Sequence, residues 1–269
     1  MNTKGILGAI AGDIIGSSYE FHPVKQMDFP LFLPQTTFTD DTVMTLATAR
    51  WLTKDNQHRH ETLVSEMHNF GDWYPQRGYG GRFHQWLRNH WTEPYNSFGN
   101  GSAMRVSPVG FYAKTLEEAL DLAKISAEVT HNHPEGIKGA QATAAAIFMA
   151  RQGATKTEIR DYIEQNFAYD LHRKTDDIRP SYRFSEICQT SVPEAILCYL
   201  ESNTYEETIR RAISLGGDAD TMACIAGGIA AATPGMEMPS DLADRCYWIL
   251  DYSLRIVLEE FEGILAERS

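Results

Sequence analysis

The sequence predicts an all-α protein folded as a single domain of about a dozen helices, and three observations carry that prediction. Three stretches combine helical spacing with Gly and Ala, the composition of helices that pack closely on one another: residues 3–17, Gly139–Ala150 and Met222–Ala232. Four Ser/Thr-x-x-Glu sequences stand before periodic segments, at Thr115, Thr155, Ser191 and Thr204, where a hydroxyl and a carboxylate can satisfy the free amides of a helix start. No segment alternates apolar and polar residues as a half-buried strand does, no fixed-period repeat is present, and no Pro/Gly/Ser linker divides the 269 residues. That length is near the upper end for one core.

The first small-residue helix, residues 3–17, places Asp13 among apolar neighbours. A buried carboxylate needs partners. Glu20 follows, at the head of a 20–38 loop holding Pro23, Pro30 and Pro34. A loop so placed can swing as a lid over a site.

Thr39-Asp40-Asp41-Thr42 then opens a helix running to about Thr53. Thr39 suits the N-cap, and carboxylates in the first turn suit the helix dipole. The same chemistry returns at Gly216-Gly217-Asp218-Ala219-Asp220-Thr221, where a glycine loop enters the small-residue helix that follows. One such start reads as ordinary capping. Two of them, each with a threonine and two carboxylates and each next to a buried helix, read as halves of one site. Oxygen donors alone suit a hard cation such as Mg²⁺ or Ca²⁺ rather than zinc. Thr175-Asp176-Asp177 has the same letters, but it follows His172-Arg173-Lys174 and precedes Pro180, so a solvated loop is expected there.

Between these clusters, His58 and His60 lack the i, i+4 spacing of paired ligands and, with His68, are expected at the surface. Residues 70–98 are dense in aromatics (Trp73, Tyr74, Tyr79, Phe83, Trp86, Trp91, Tyr95), which serve either as a core wall or as a stacking surface for a flat ligand such as adenine. Gly99-Asn100-Gly101-Ser102 runs into a helix and could present backbone amides to an anion, or form a plain turn. Residues 239–267 are expected to form one long amphipathic helix.

Composition limits the partners. The net charge of −12 argues against nucleic acid as the main partner. A nucleotide-like ligand stays open where cations supply local positive charge. Cys188, Cys198, Cys224 and Cys246 match neither a zinc spacing nor a disulfide scaffold, which fits a reduced, cytoplasmic setting. Lys4 precedes an apolar stretch that Asp13 interrupts, a poor secretion leader. No apolar run reaches the roughly 18 residues that span a membrane. A monomer without membrane contact is expected.

Five pieces in order carry a family resemblance: Gly12-Asp13-x-x-Gly16 with Glu20, Phe38-Thr39-Asp40-Asp41-Thr42, Gly99-Asn100-Gly101-Ser102-Ala103-Met104-Arg105, Thr130-His131, and Gly217-Asp218-Ala219-Asp220-Thr221. Over most of its length the sequence resembles the ADP-ribosylglycohydrolase family, the ADP-ribosyl hydrolases related to dinitrogenase-reductase-activating glycohydrolase. The resemblance implies an orthogonal helix bundle with two divalent cations, Mg²⁺ or Mn²⁺, in a central cleft. Thr39, Asp40, Asp41, Asp218, Asp220 and Thr221 would then be metal ligands. Glu20 would lie beside the metals as a gate or general base, with Asp41 the second candidate catalytic carboxylate. Gly99, Asn100, Gly101, Ser102 and His131 would line the ADP-ribose groove. The implied reaction is hydrolysis of the bond between ADP-ribose and an acceptor, on a protein or a small molecule. Arginine, serine, an acetyl group and a nucleic-acid end are all open as leaving groups. Nitrogenase-linked members carry an acidic residue three positions before the asparagine. Here that position is Ser97, which points toward relatives working through Glu20 and the metals. Two other readings use the same acids: a two-metal phosphoesterase, for which Arg105 is the obvious added cation, and a non-catalytic relative, which should have lost metal ligands.

Overall fold

The helix α1 (Leu7–Gly16) is buried along its whole length, as the small apolar sequence requires. The computed structural model describes residues 5–268, so residues 3 and 4 at the head of this expected helix lie outside the described residues. Along the chain follow α2 (Asp40–Lys54), α3 (His60–Trp73), α4 (Gly81–Arg88), α5 (Gly101–Met104), α6 (Ser107–Tyr112), α7 (Leu116–Glu128) and α8 (Pro134–Arg151). Then come α9 (Lys156–Phe167), α10 (Thr175–Ile178), α11 (Cys188–Leu200), α12 (Tyr205–Ser214), α13 (Ala219–Ala232), α14 (Ser240–Ile249) and α15 (Tyr252–Arg268). Among the described residues no strand forms; one isolated antiparallel bridge joins Gly99 to Ile187. The expected all-α fold is therefore observed, and among the described residues no helix is long and apolar enough to cross a membrane.

At the centre α1 lies against α13, which is also wholly buried. Gly8, Gly12 and Gly16 repeat every fourth residue and share one face of α1. A Cβ on Gly12 would lie 2.1 Å from the Ala223 carbonyl oxygen, and one on Gly16 would lie 2.4 Å from the Asp220 Cα. Only glycine allows this approach, and it fixes where α13 begins relative to α1. Gly12→Ala is therefore expected to destabilise the fold by about 1–3 kcal/mol or more. Gly263→Ala, in a helix position with nothing near its Cβ, should stabilise by roughly 0.5–1 kcal/mol. Urea midpoints of the two variants check this pair.

Other elements follow their local chemistry. Thr155 and Glu158 form a complete capping box on α9. Thr115 and Thr204 also cap their helices, but Glu118 and Glu207 reach one residue further back, to the Lys114 and Asn203 amides. Ser191-x-x-Glu194 is not a helix start. Helix α11 begins earlier, at Cys188, so Ser191 lies inside it and donates to the Ile187 carbonyl, while Glu194 pairs with Arg173.

The expected 239–267 helix is two helices. Asp251 Oδ1 accepts from the Ser253 and Leu254 amides and so caps a new helix where the first ends. Thr175-Asp176-Asp177 forms a single helical turn rather than a loop: Thr175 is buried and bonded to Glu201, while Asp176 is exposed and pairs with Arg179. His68 is not a surface residue. It is buried and stacked on Trp86, with ring centroids 4.3 Å apart. His58 is half-buried between Trp51 and Tyr112.

Candidate active site

The site is assembled on α1. Its buried Asp13 carboxylate receives the Thr39 amide at 3.0 Å, the Thr39 hydroxyl at 2.7 Å, the Thr42 amide at 3.1 Å and the Thr42 hydroxyl. Four donors on one carboxylate supply the partners that its burial demands, and they lock the start of α2 against α1. One turn on, Gly16 touches Asp220 and sets the start of α13. The two acidic helix starts, far apart in sequence, are thereby brought together. Thr221 Oγ1 donates to Asp41 Oδ1 at 3.3 Å and joins the halves directly.

Asp40, Asp41, Asp218, Asp220 and Thr221 all line one cavity of about 430 Å³, together with Glu20. Carboxylate oxygens of Glu20, Asp218 and Asp220 lie within 4.8 Å of one another. Glu20 thus stands with the second cluster, beside the implied metal ligands. Its loop is also fastened. Lys25 donates to the Tyr182 carbonyl at 2.7 Å and to that of Leu215, Arg210 holds the Met27 and Phe29 carbonyls, and Tyr19 bonds that of Pro30. The loop expected to swing as a lid is thereby tied down from Lys25 to Pro30.

Electrostatics follow from this crowding. Burial and then the neighbouring carboxylates push Asp40, Asp41 and Asp220 well above the usual carboxylate range. Burial, reinforced by repulsion from Asp220, Asp13 and Glu186, lifts Glu20 to about 8. Burial likewise lifts Asp218 to about 7, against the lowering effect of hydrogen bonds from Asp220 and Asn100. Asp41 Oδ2 is buried without a hydrogen-bond partner. An oxygen-only donor set, an unpartnered buried carboxylate oxygen and mutual repulsion together fit a hard divalent cation.

The other expected residues divide. The Asn100 side chain donates to Asp218 Oδ2 at 2.7 Å, so it holds an acid of the centre. The amides of Gly99 and Asn100 are already bonded, to Ser97 Oγ and to the Glu186 carbonyl, and the helix they enter is four residues long. They do not form a free anion cradle. Gly99, Gly101 and His131 line the cavity. Ser102 does not: it is fully buried and donates to the Gly136 carbonyl at 2.7 Å, a packing role. Thr39 caps α2, with its hydroxyl donating to Asp13 and accepting the Asp41 amide at 3.3 Å.

The aromatic stretch divides between core and cavity wall. Phe70 and Trp86 are core, while Phe83, Tyr95 and the half-exposed Phe98 line the cavity. Glu186 and Arg82 also line it and carry no local signal in the sequence. Glu186 arrives through the pairing of Gly99 with Ile187, and Arg82 stacks over the Tyr95 ring at 4.9 Å.

Fold and site together define an all-α protein whose centre is built from carboxylates and hydroxyls, a donor set that fits a hard cation. The family follows from the sequence match: residues 3–268 fit the ADP-ribosylglycohydrolase model, and the chain belongs to that family. The mouse ADP-ribosylhydrolase ARH3 is 27% identical over 322 residues, covering 90% of this chain and 86% of its own. The Pseudomonas putida ADP-ribosylarginine hydrolase Tri1 is 26% identical over 274 residues, covering 90% and 73%. A solved structure of an ADP-ribosylglycohydrolase-related protein complex shares the fold, with a TM-score of 0.73 at 24% identity over 98% of this chain and 95% of that one.

Proposed function

We propose that this protein hydrolyses the glycosidic bond joining ADP-ribose to an acceptor, on a protein or a small molecule, with two divalent cations, Mg²⁺ or Mn²⁺, held by Thr39, Asp40, Asp41, Asp218, Asp220 and Thr221. The observation that carries this reading is the convergence of two acidic helix starts, linked by Thr221 and Asp41, on one cavity. Its volume of about 430 Å³ falls within the range of small-ligand sites. Bound there, the cations supply positive charge that stabilises negative charge developing on oxygen.

The chain's own residues supply the rest. Glu20, whose carboxylate lies with those of Asp218 and Asp220 on the cavity wall, is placed to exchange a proton with a reacting group. Phe83, Tyr95 and Phe98, which line the cavity, are the rings that would pack against a base. Asn100 holds Asp218 in place. Glu20→Gln keeps size and an acceptor oxygen but cannot take a proton, so its single-turnover rate is expected to fall by roughly 10²-fold or more. A rate within about twofold of wild type, with only stability changed, would remove Glu20 from the mechanism.

The reaction itself is tested by incubating the protein with ADP-ribosylated arginine and serine peptides and Mg²⁺, with products read by mass spectrometry. Free ADP-ribose and unmodified peptide are expected. AMP with a phosphoribosyl-peptide would instead select cleavage of the diphosphate, and no product with either peptide would direct attention to small-molecule acceptors.

A further inference from the structure

Behind the cavity-lining His131 and Arg105 runs a buried chain of polar groups to which the proposed chemistry assigns no step. Arg105, Thr130 and His131 are all nearly inaccessible, with exposures of 1%, 0% and 5%. Arg105 donates through one terminal nitrogen to the Gly101 carbonyl at 3.2 Å, and through the other to the Ser126 carbonyl at 2.8 Å and to Thr130 Oγ1 at 2.9 Å. Thr130 Oγ1 lies 2.7 Å from His131 Nδ1. No other hydrogen-bond partner reaches that hydroxyl among the described residues.

These contacts fix the protons. A guanidinium only donates, so the Thr130 oxygen accepts from Arg105. The hydroxyl has one proton, and the remaining partner is His131 Nδ1. Were Nδ1 also a donor, the threonine proton would be buried without an acceptor, which costs about 1–3 kcal/mol. The hydroxyl therefore donates to Nδ1, and the ring proton sits on Nε2. Burial and the nearby Arg105 and Arg82 charges hold the ring well below its ordinary pKa, so it stays neutral. Nε2 faces the glycine loop: Cβ atoms built on Gly101 and Gly99 would lie 3.1 Å and 3.5 Å from it.

We propose that Arg105 and Thr130 are positioning residues that fix His131 as the neutral Nε2–H tautomer, so that it presents a constant hydrogen-bond donor to an oxygen of the ADP-ribosyl group beside Gly99 and Gly101. The proton-ordering half stands on the geometry alone. The ligand half rests on the proposed function and deepens it. Arg105 then has a role unlike that of a phosphate-binding arginine: its terminal nitrogens are committed to backbone and Thr130.

Long-range ¹H–¹⁵N spectra of labelled protein at neutral pH report the tautomer, with the His131 signals assigned by their loss in His131→Gln. Wild type is expected to show the Nε2–H form. Thr130→Val, which keeps shape and removes the hydroxyl, should shift the signals toward a mixture or the Nδ1–H form, and should weaken ADP-ribose binding by about tenfold in calorimetry. Thr130→Ser should restore both, and thermal melting shows that each variant is folded. A wild-type Nδ1–H ring or imidazolium would overturn the proposal. So would an unchanged tautomer in Thr130→Val, or a shifted tautomer with unchanged ADP-ribose affinity. Failure of wild type to bind ADP-ribose would overturn the function reading and the ligand half together, while the spectra decide the proton order independently.

Discussion

Asp41→Ala and Asp220→Ala are each expected to reduce turnover of an ADP-ribosylated peptide by about 10³-fold or more, while Asp176→Ala and Asp177→Ala stay within about twofold. The contrast is between clusters with the same letters. Asp41 and Asp220 are buried, face one cavity and belong to helix starts that Asp13 and Gly16 hold against α1. Asp176 and Asp177 are exposed on a single turn, Asp176 pairs with the mostly covered Arg179, and neither carboxylate lines the cavity. Initial rates for the four variants under saturating Mg²⁺ provide the check. Equal damage from Asp177→Ala would mean that burial and convergence are not what distinguishes a site from its imitation.

The metal-stripped protein is expected to lose stability as pH rises from about 5 to about 8, and Mg²⁺ or Mn²⁺ should remove that loss. The sign follows from the raised carboxylates. A group held at about 8 in the fold, as Glu20 is, and ordinary when unfolded binds more protons in the native state between those values, so unfolding becomes easier as pH rises. Asp218, at about 7, acts in the same direction over a narrower window. Screening by water at the partly open Glu20 reduces its penalty to on the order of 2 kcal/mol, or about 4–8 °C in melting temperature for a chain of this size. A cation at 100 times its Kd stabilises by about 2.7 kcal/mol and lowers the carboxylate pKa values, flattening the pH dependence. Melting curves with EDTA and with Mg²⁺ at pH 5 and pH 8 measure both effects. A stripped protein more stable at pH 8 than at pH 5 would contradict the crowded-acid picture.

Much of the architecture was legible because its causes are local or periodic. The Gly8, Gly12 and Gly16 spacing marks a face for close packing, and α13 is the partner that fits it. Thr155, Thr115 and Thr204 cap where their letters say. Ser191 misled because a Ser-x-x-Glu inside a helix looks the same as one at its start. The break between α14 and α15 was hidden because the apolar pattern continues through Asp251, and only its cap bonds reveal a new helix. In the site, the acids were readable because each cluster is a helix start carrying its own chemistry. Ser102 was grouped with the loop by position alone, although its hydroxyl turns inward to Gly136. Glu186 had no local signal: its place depends on the long-range pairing of Gly99 with Ile187. The tethering of the Glu20 loop likewise depends on Lys25 and Arg210 meeting carbonyls distant in sequence.

The claim that two helix starts form one cation centre is tested most directly by calorimetric titration of the metal-stripped protein with Mn²⁺, beside the Asp41→Asn and Asp220→Asn variants. The account predicts two cations per chain at millimolar concentration or below, with binding weakened at both sites by either substitution, because the halves share one cavity. No heat of binding in the wild type, or full stoichiometry and affinity retained in both variants, would contradict it.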